Sequence, residues 1–282
     1  MTLRLAVFVA ALLAYPTVAA AEPGSPVAVY PWAPTSTEHL DARFPAPNGF
    51  TRDPAAPGSF AAFLRSLPLL PENAPVVDYR GTPLYDAGHH PNIAAVVDLD
   101  VGKANLQHCA DIVIRLDAEW RYGTGRRDVS YRSMSGTSIP YARYLAGDRT
   151  VASGHGIELV RRAAVAKDDH AFFRSYLDDV FAWANTASLA RDAARVEAGE
   201  LRAGDFFVMS GAPFGHAVVI LDVARDASGR RALLLGQGYM PAQSFHVLRR
   251  SEHEAWFVVD ANATQVKTPF WEAFPMTALR RL

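Results

Sequence analysis

The chain has 282 residues, 50% of them hydrophobic and 20% charged, a balance that supports one large core or two small ones and excludes a disordered chain. A formal charge of −1 provides no basic field for nucleic acid, and the sequence has no acidic tail. Electrostatics therefore point to no polymeric partner.

The N-terminus carries one early positive charge, an apolar run over residues 5–14 and small residues at Ala19 and Ala21. This pattern predicts a signal peptide over residues 1–21. The run is too short to span a bilayer comfortably, so cleavage is expected rather than anchoring, and no transmembrane segment should remain. The expectation is an exported protein, periplasmic if the source is Gram-negative. Residues 22–57 read as a Pro/Ala-rich leader that wraps the domain, and residues 58–282 as a single α+β domain.

Within that domain Ser59 should cap a short helix over 60–67, stopped by Pro68 and Pro71. Strands are predicted over 76–79 and 94–99. The second places Asp98 and Asp100 on one face, either as a carboxylate pair for a cation or acid–base work, or as turn and capping residues. A helix follows over 105–122, with Asn105 as its N-cap and Ile112, Val113, Leu116 and Trp120 as its core stripe. Its charged residues Arg115, Asp117, Glu119 and Arg121 are expected to reach water.

The only cysteine, Cys109, lies in the first turn of this helix. Unpaired N–H groups and the positive dipole end favour a thiolate there, although a lone helical Cys also reads as a small buried hydrophobe. One cysteine forms no internal disulfide, and in an oxidising compartment an odd thiol is buried, intermolecular or reactive.

Next come a strand over 129–134 and a polar turn at 135–138. His155 and His170 lie in a polar middle section, too far apart to be read as metal ligands. A core helix is predicted over 170–184, followed by a charged amphipathic segment over 188–200. The last third is a meander, with strands over 205–209, 216–223, 231–237, 244–248 and 256–259 and turn residues suited to antiparallel hairpins. Helices packed on one side of an antiparallel sheet, built mainly from the C-terminal third, make the predicted fold class α+β.

His216 opens one strand of the meander and Gln237 closes the next, so a hairpin brings amide and imidazole together at a sheet end. A cysteine hydrolase needs a thiol, an imidazole to take its proton and a polar group to orient the ring. The irregular stretch 237–243, with Tyr239 and Gln243, then either lines a substrate cleft or is a crossover whose amides satisfy buried backbone groups. No metal motif such as His-Glu-x-x-His is present, and no metal or cofactor is expected.

The helix-borne Cys109 and the passage Gly204-Asp205-Phe-Phe-Val-Met-Ser-Gly-Ala-Pro-Phe-Gly-His216-Ala-Val-Val-Ile-Leu resemble the NlpC-type peptidases of the papain-like superfamily. More closely, Leu106-Gln-His-Cys-Ala-Asp111, Gly215-His-Ala-Val218 and Gln237-Gly-Tyr-Met-Pro-Ala-Gln243 resemble a bacterial family described as domain of unknown function 4846, over about Phe60 to the C-terminus. The peptidase resemblance implies a papain-like fold with Cys109 as nucleophile, His216 as general base and Gln237 as orienting group. It also offers Gln107 as an oxyanion donor, the other reading being a capping or surface amide. This chain departs from the usual Asp-Cys-Ser-Gly: His108, expected to be exposed, precedes the cysteine, and Ala110-Asp111 follow it.

Two functions follow as expectations. One is an exported cysteine amidase or peptidase acting on a peptide, with a cell-wall fragment as the natural substrate. The other is a catalytically silent envelope module that holds a peptide, glycan or lipid in the same cleft. A Ser or carboxylate hydrolase using Asp98 or Asp100 trails both.

Overall fold

The computed structural model describes residues 30–33, 38–211 and 214–282. The predicted signal peptide lies outside them, as do the start of the leader and two residues of the loop before His216. Among the described residues, one nine-stranded antiparallel sheet organises the molecule. Its path runs Ile93–Val96, His246–Leu248, Arg231–Gln237, His216–Arg225, Phe206–Met209, Leu279–Arg281 and Ala194–Arg195. Thr51–Arg52 also pairs with the far end of the His216 strand, and Trp256–Val259 pairs with the start of the Arg231 strand. The class is α+β.

The two central strands are buried on both faces, so they read as continuous apolar runs rather than as alternation. Ala217, Val219, Leu221, Ala232 and Leu234 turn to the larger core, which includes Ile112, Val113 and Leu116 of the Cys109–Gly123 helix. Val218, Ile220, Leu233 and Leu235 turn to a smaller cluster with Phe207, Phe274 and Leu279. A register shift at Leu234/Leu235 puts Asp222 on the same side as Leu221. There the buried Asp222 carboxylate meets Arg52 at 2.6 Å and Arg65 at 2.6 Å.

Several expectations need correcting. The central helix runs Cys109–Gly123 with His108 as N-cap, because the Asp111 carboxyl accepts from the His108 N–H at 3.0 Å. Asn105 instead accepts from the Ala242 N–H at 2.7 Å and bonds the His108 ring at 2.9 Å, tying the 237–243 stretch to the helix start. Arg115, Asp117 and Glu119 do not reach water: all three are buried. Residues 130–192 cover that side of the helix and supply partners, with His170 bonding Glu119 at 2.8 Å and Tyr131 bonding Asp117 at 2.7 Å. The strand predicted over 76–79 reduces to isolated bridges. The middle section holds a hairpin, Asp148–Ser153 with Gly156–Arg161, that sequence reading did not find. The core helix ends at Phe181, and Asn185 caps the next one, Thr186–Asp192. No described helix is long and apolar enough to cross a membrane.

Candidate active site

The start of the His216 strand, the end of the Arg231 strand and the start of the Cys109 helix meet at one end of the sheet. Two glycines allow this approach. A Cβ at Gly238 would lie 2.6 Å from Ile112 Cγ1 and 3.0 Å from the His108 carbonyl, so only glycine lets the strand end pass the helix start. A Cβ at Gly215 would collide with the Met209 carbonyl and the Thr186 hydroxyl.

His216 Nε2 lies 2.8 Å from Gln237 Oε1, and both side chains are buried. The His216 ring also packs edge-on against Tyr239 and at a tilt against Trp271, with ring centroids 5.1 Å and 5.0 Å away. Burial pulls its pKa down to about 4, only partly countered by the bond to Gln237, so the imidazole is neutral at neutral pH.

Cys109 is buried, and its thiol donates to the Gly215 carbonyl at 3.9 Å. The thiol thus touches the backbone beside His216, and no hydrogen bond joins it to the His216 ring among the described residues. The ring faces the smaller cluster through Phe274, while the cysteine helix packs on the other face. Burial pushes the thiol up to about 11; Asp111 adds to this, while the N–H groups of Ala217, Ala110 and Cys109 oppose it. Asp111 is itself pushed up to about 8 by burial, and its Oδ1 has no hydrogen-bond partner. Tyr239 neighbours both groups: burial first and then Cys109 raise its phenol, and its hydroxyl donates to the Phe270 carbonyl at 3.3 Å.

The other predicted site residues lie apart from this junction or behind it. Gln107 is fully buried and both ends of its amide are engaged, donating to the Asp100 carbonyl at 3.0 Å and accepting from Arg115 at 2.9 Å. It is therefore neither a surface amide nor aimed at the thiol. Asp100 faces Arg115 at 2.7 Å and Arg174 at 3.2 Å, and so serves a charge network around the helix. Gln243 is buried and donates to the Tyr85 hydroxyl at 3.1 Å. His108 is half-buried.

Sequence reading missed the aromatic wall beside the junction. Phe270 stacks obliquely on His90 at 4.6 Å and on Tyr239 at 6.1 Å, and Tyr85 packs against both Phe270 and His90. Tyr85 adopts φ +54°, a left-handed conformation costly for a bulky residue, and its bond to Gln243 helps hold it there. It also missed His246, although that residue lies directly opposite Gln237 in the antiparallel register. Among the described residues no cluster of His, Cys, Asp and Glu could hold a metal ion.

A family model described as domain of unknown function (4846) matches residues 40–281. Comparison with the curated proteins and with the solved structures found no match.

Proposed function

Since the chain belongs to the family described as domain of unknown function 4846, a description that assigns no reaction, we propose a function from the site itself. The protein is a cysteine hydrolase that cleaves an amide bond, with Cys109 as nucleophile, His216 as general base and Gln237 as the group that orients the imidazole. The observation that carries this reading is the buried 2.8 Å contact between His216 Nε2 and Gln237 Oε1. An amide oxygen only accepts, so His216 Nε2 bears the proton and Nδ1 is left as the basic nitrogen. The NlpC-type resemblance supports the same three roles and a papain-like fold. With export as the sequence suggests, a cell-wall peptide is the natural substrate.

The resting pair is a neutral thiol and a neutral imidazole, so the proton moves as the sulfur attacks. Cys109 Sγ bonds to the carbonyl carbon while its proton passes to His216 Nδ1, and the imidazolium then protonates the departing amine. Water hydrolyses the thioester with Nδ1 again as base. For this the thiol and the ring, which lie to either side of the strand start, must come together when substrate binds, a larger rearrangement than the tightening of an existing contact.

One observation favours a second reading, the silent binding module: the thiol is buried, raised to about 11 and bonded to a carbonyl rather than to the ring. Turnover on a mixed amide library that includes muropeptides separates the two. In the hydrolase, Cys109→Ala and His216→Ala each fold and lose nearly all product release, and the two losses are not additive. A wild type that releases no product, yet retains a ligand that Tyr239→Ala lets go, is a binder.

A further inference from the structure

The polar chain does not end at Gln237. Gln237 Nε2 lies 3.3 Å from His246 Nε2, and His246 Nδ1 lies 2.9 Å from the Ser244 carbonyl. His246, Gln237 and His216 come from three neighbouring strands and share the face of the smaller cluster, each with no more than 1% of its surface exposed. Phe270 covers His246 and Trp271 covers His216, at ring separations of 5.9 Å and 5.0 Å.

Hydrogen-bond polarity makes this chain directional. The Ser244 carbonyl only accepts, so Nδ1 of His246 carries the proton and Nε2 of the neutral ring presents a lone pair. Only the NH2 end of Gln237 satisfies that lone pair, and the amide oxygen is thereby turned to His216. The flipped amide would set its oxygen against the His246 lone pair, a buried mismatch, and would satisfy His216 only in the other tautomer, with its proton on Nδ1.

We infer that His246 is a positioning residue: it fixes the Gln237 amide, and through it the His216 tautomer in which Nε2 carries the proton and Nδ1 is left as the basic nitrogen. The catalytic consequence rests on the hydrolase reading, whereas the tautomer rests on the hydrogen bonds alone. A merely space-filling His246 would leave the tautomer of His216 indifferent to its replacement.

The test is nitrogen NMR of histidine-labelled protein together with steady-state kinetics. In wild type His216 should carry its proton on Nε2. His246→Leu, which keeps the volume and removes the acceptor, should give a mixture of tautomers and lower kcat about tenfold with KM unchanged. This is the size expected for one buried hydrogen bond. His246→Gln, whose amide oxygen replaces the lone pair, should restore one tautomer and bring kcat to within about twofold of wild type. A His216 proton on Nδ1 in wild type overturns the inference, as does a single unchanged tautomer in His246→Leu. Should His246→Leu not fold, the wild-type tautomer and the His246→Gln rescue still decide. An Nε2 proton without any turnover sinks the hydrolase and leaves the positioning role standing; turnover with an Nδ1 proton does the reverse.

Discussion

The thiol of Cys109 feels opposed influences at close range. Burial disfavours the thiolate, three backbone N–H groups favour it, and Asp111 turns against it once charged. Because burial raises Asp111 to about 8, its carboxyl is mostly neutral at pH 7 and charges as pH rises through that value. Asp111→Asn keeps an oxygen for the His108 N–H and removes the ionisation. Iodoacetamide labelling of the folded variant should therefore match wild type below about pH 7 and exceed it about threefold above pH 9, where only wild type carries the anion. Equal rates at both ends would mean that Asp111 does not reach the thiol electrostatically. The contact between His216 and Gln237 was legible in the sequence because one strand opens at His216 and the next closes at Gln237. His246 was not, since its role depends on lying opposite Gln237 in a strand pair, a register that no local pattern records. Gln107 escaped for a related reason: placing the cap at Asn105 rather than His108 puts its amide in the helix instead of behind it.

Among elements, the junction depends on a strand starting close to its neighbours. Gly215 sits where a Cβ would meet the Met209 carbonyl and the Thr186 hydroxyl, one on the adjacent strand and the other on the helix capped by Asn185. Gly215→Ala must push the start of the His216 strand away from one of them, at a cost of about 1–3 kcal/mol. The variant should be less stable to denaturant by that amount and lose proportionally more of any turnover than of stability, since the strand start carries the proposed base. A variant destabilised by this amount but with kcat unchanged would show that the strand start can move without moving the ring. The strands from Phe206 to Val259 were legible because apolar runs there are separated by Gly- and Asp-containing turns, whereas Leu279–Arg281, which joins the main sheet, was not found. The middle hairpin was not legible, because Asp148–Ser153 and Gly156–Arg161 are mostly half-exposed or exposed, with one buried apolar residue, Ile157, in the second strand. Without a buried face there is no period to read.

For the molecule as a whole, the described residues before Gly58 are built into the core. Leu40 is fully buried and Phe44 nearly so, both in the larger cluster. Tyr30 donates its hydroxyl to the Phe63 carbonyl, the Trp256 indole donates to the Pro45 carbonyl at 3.0 Å, and Thr51–Arg52 extends the sheet along the His216 strand. The family match likewise begins at residue 40, upstream of Phe60, where the sequence resemblance starts. Electrostatics reinforce the attachment, because Asp222 is buried at the register shift and Arg52 supplies one of its two cations. A chain starting at Gly58 would leave that carboxylate with Arg65 alone and open the cavities left by Leu40 and Phe44. Losing Arg52 costs less than breaking a buried pair outright, about 3–5 kcal/mol, because Arg65 remains on the carboxylate, but each deleted core side chain adds about 2–5 kcal/mol, together comparable to the roughly 5–15 kcal/mol that holds an entire domain. Such a chain should show no cooperative urea transition, whereas the full chain should show one. Arg52→Met in the full chain should lower the midpoint while keeping the transition cooperative. A cooperative transition in the chain from Gly58 would instead mean that the sheet and its helices are complete without that segment, which then only wraps them.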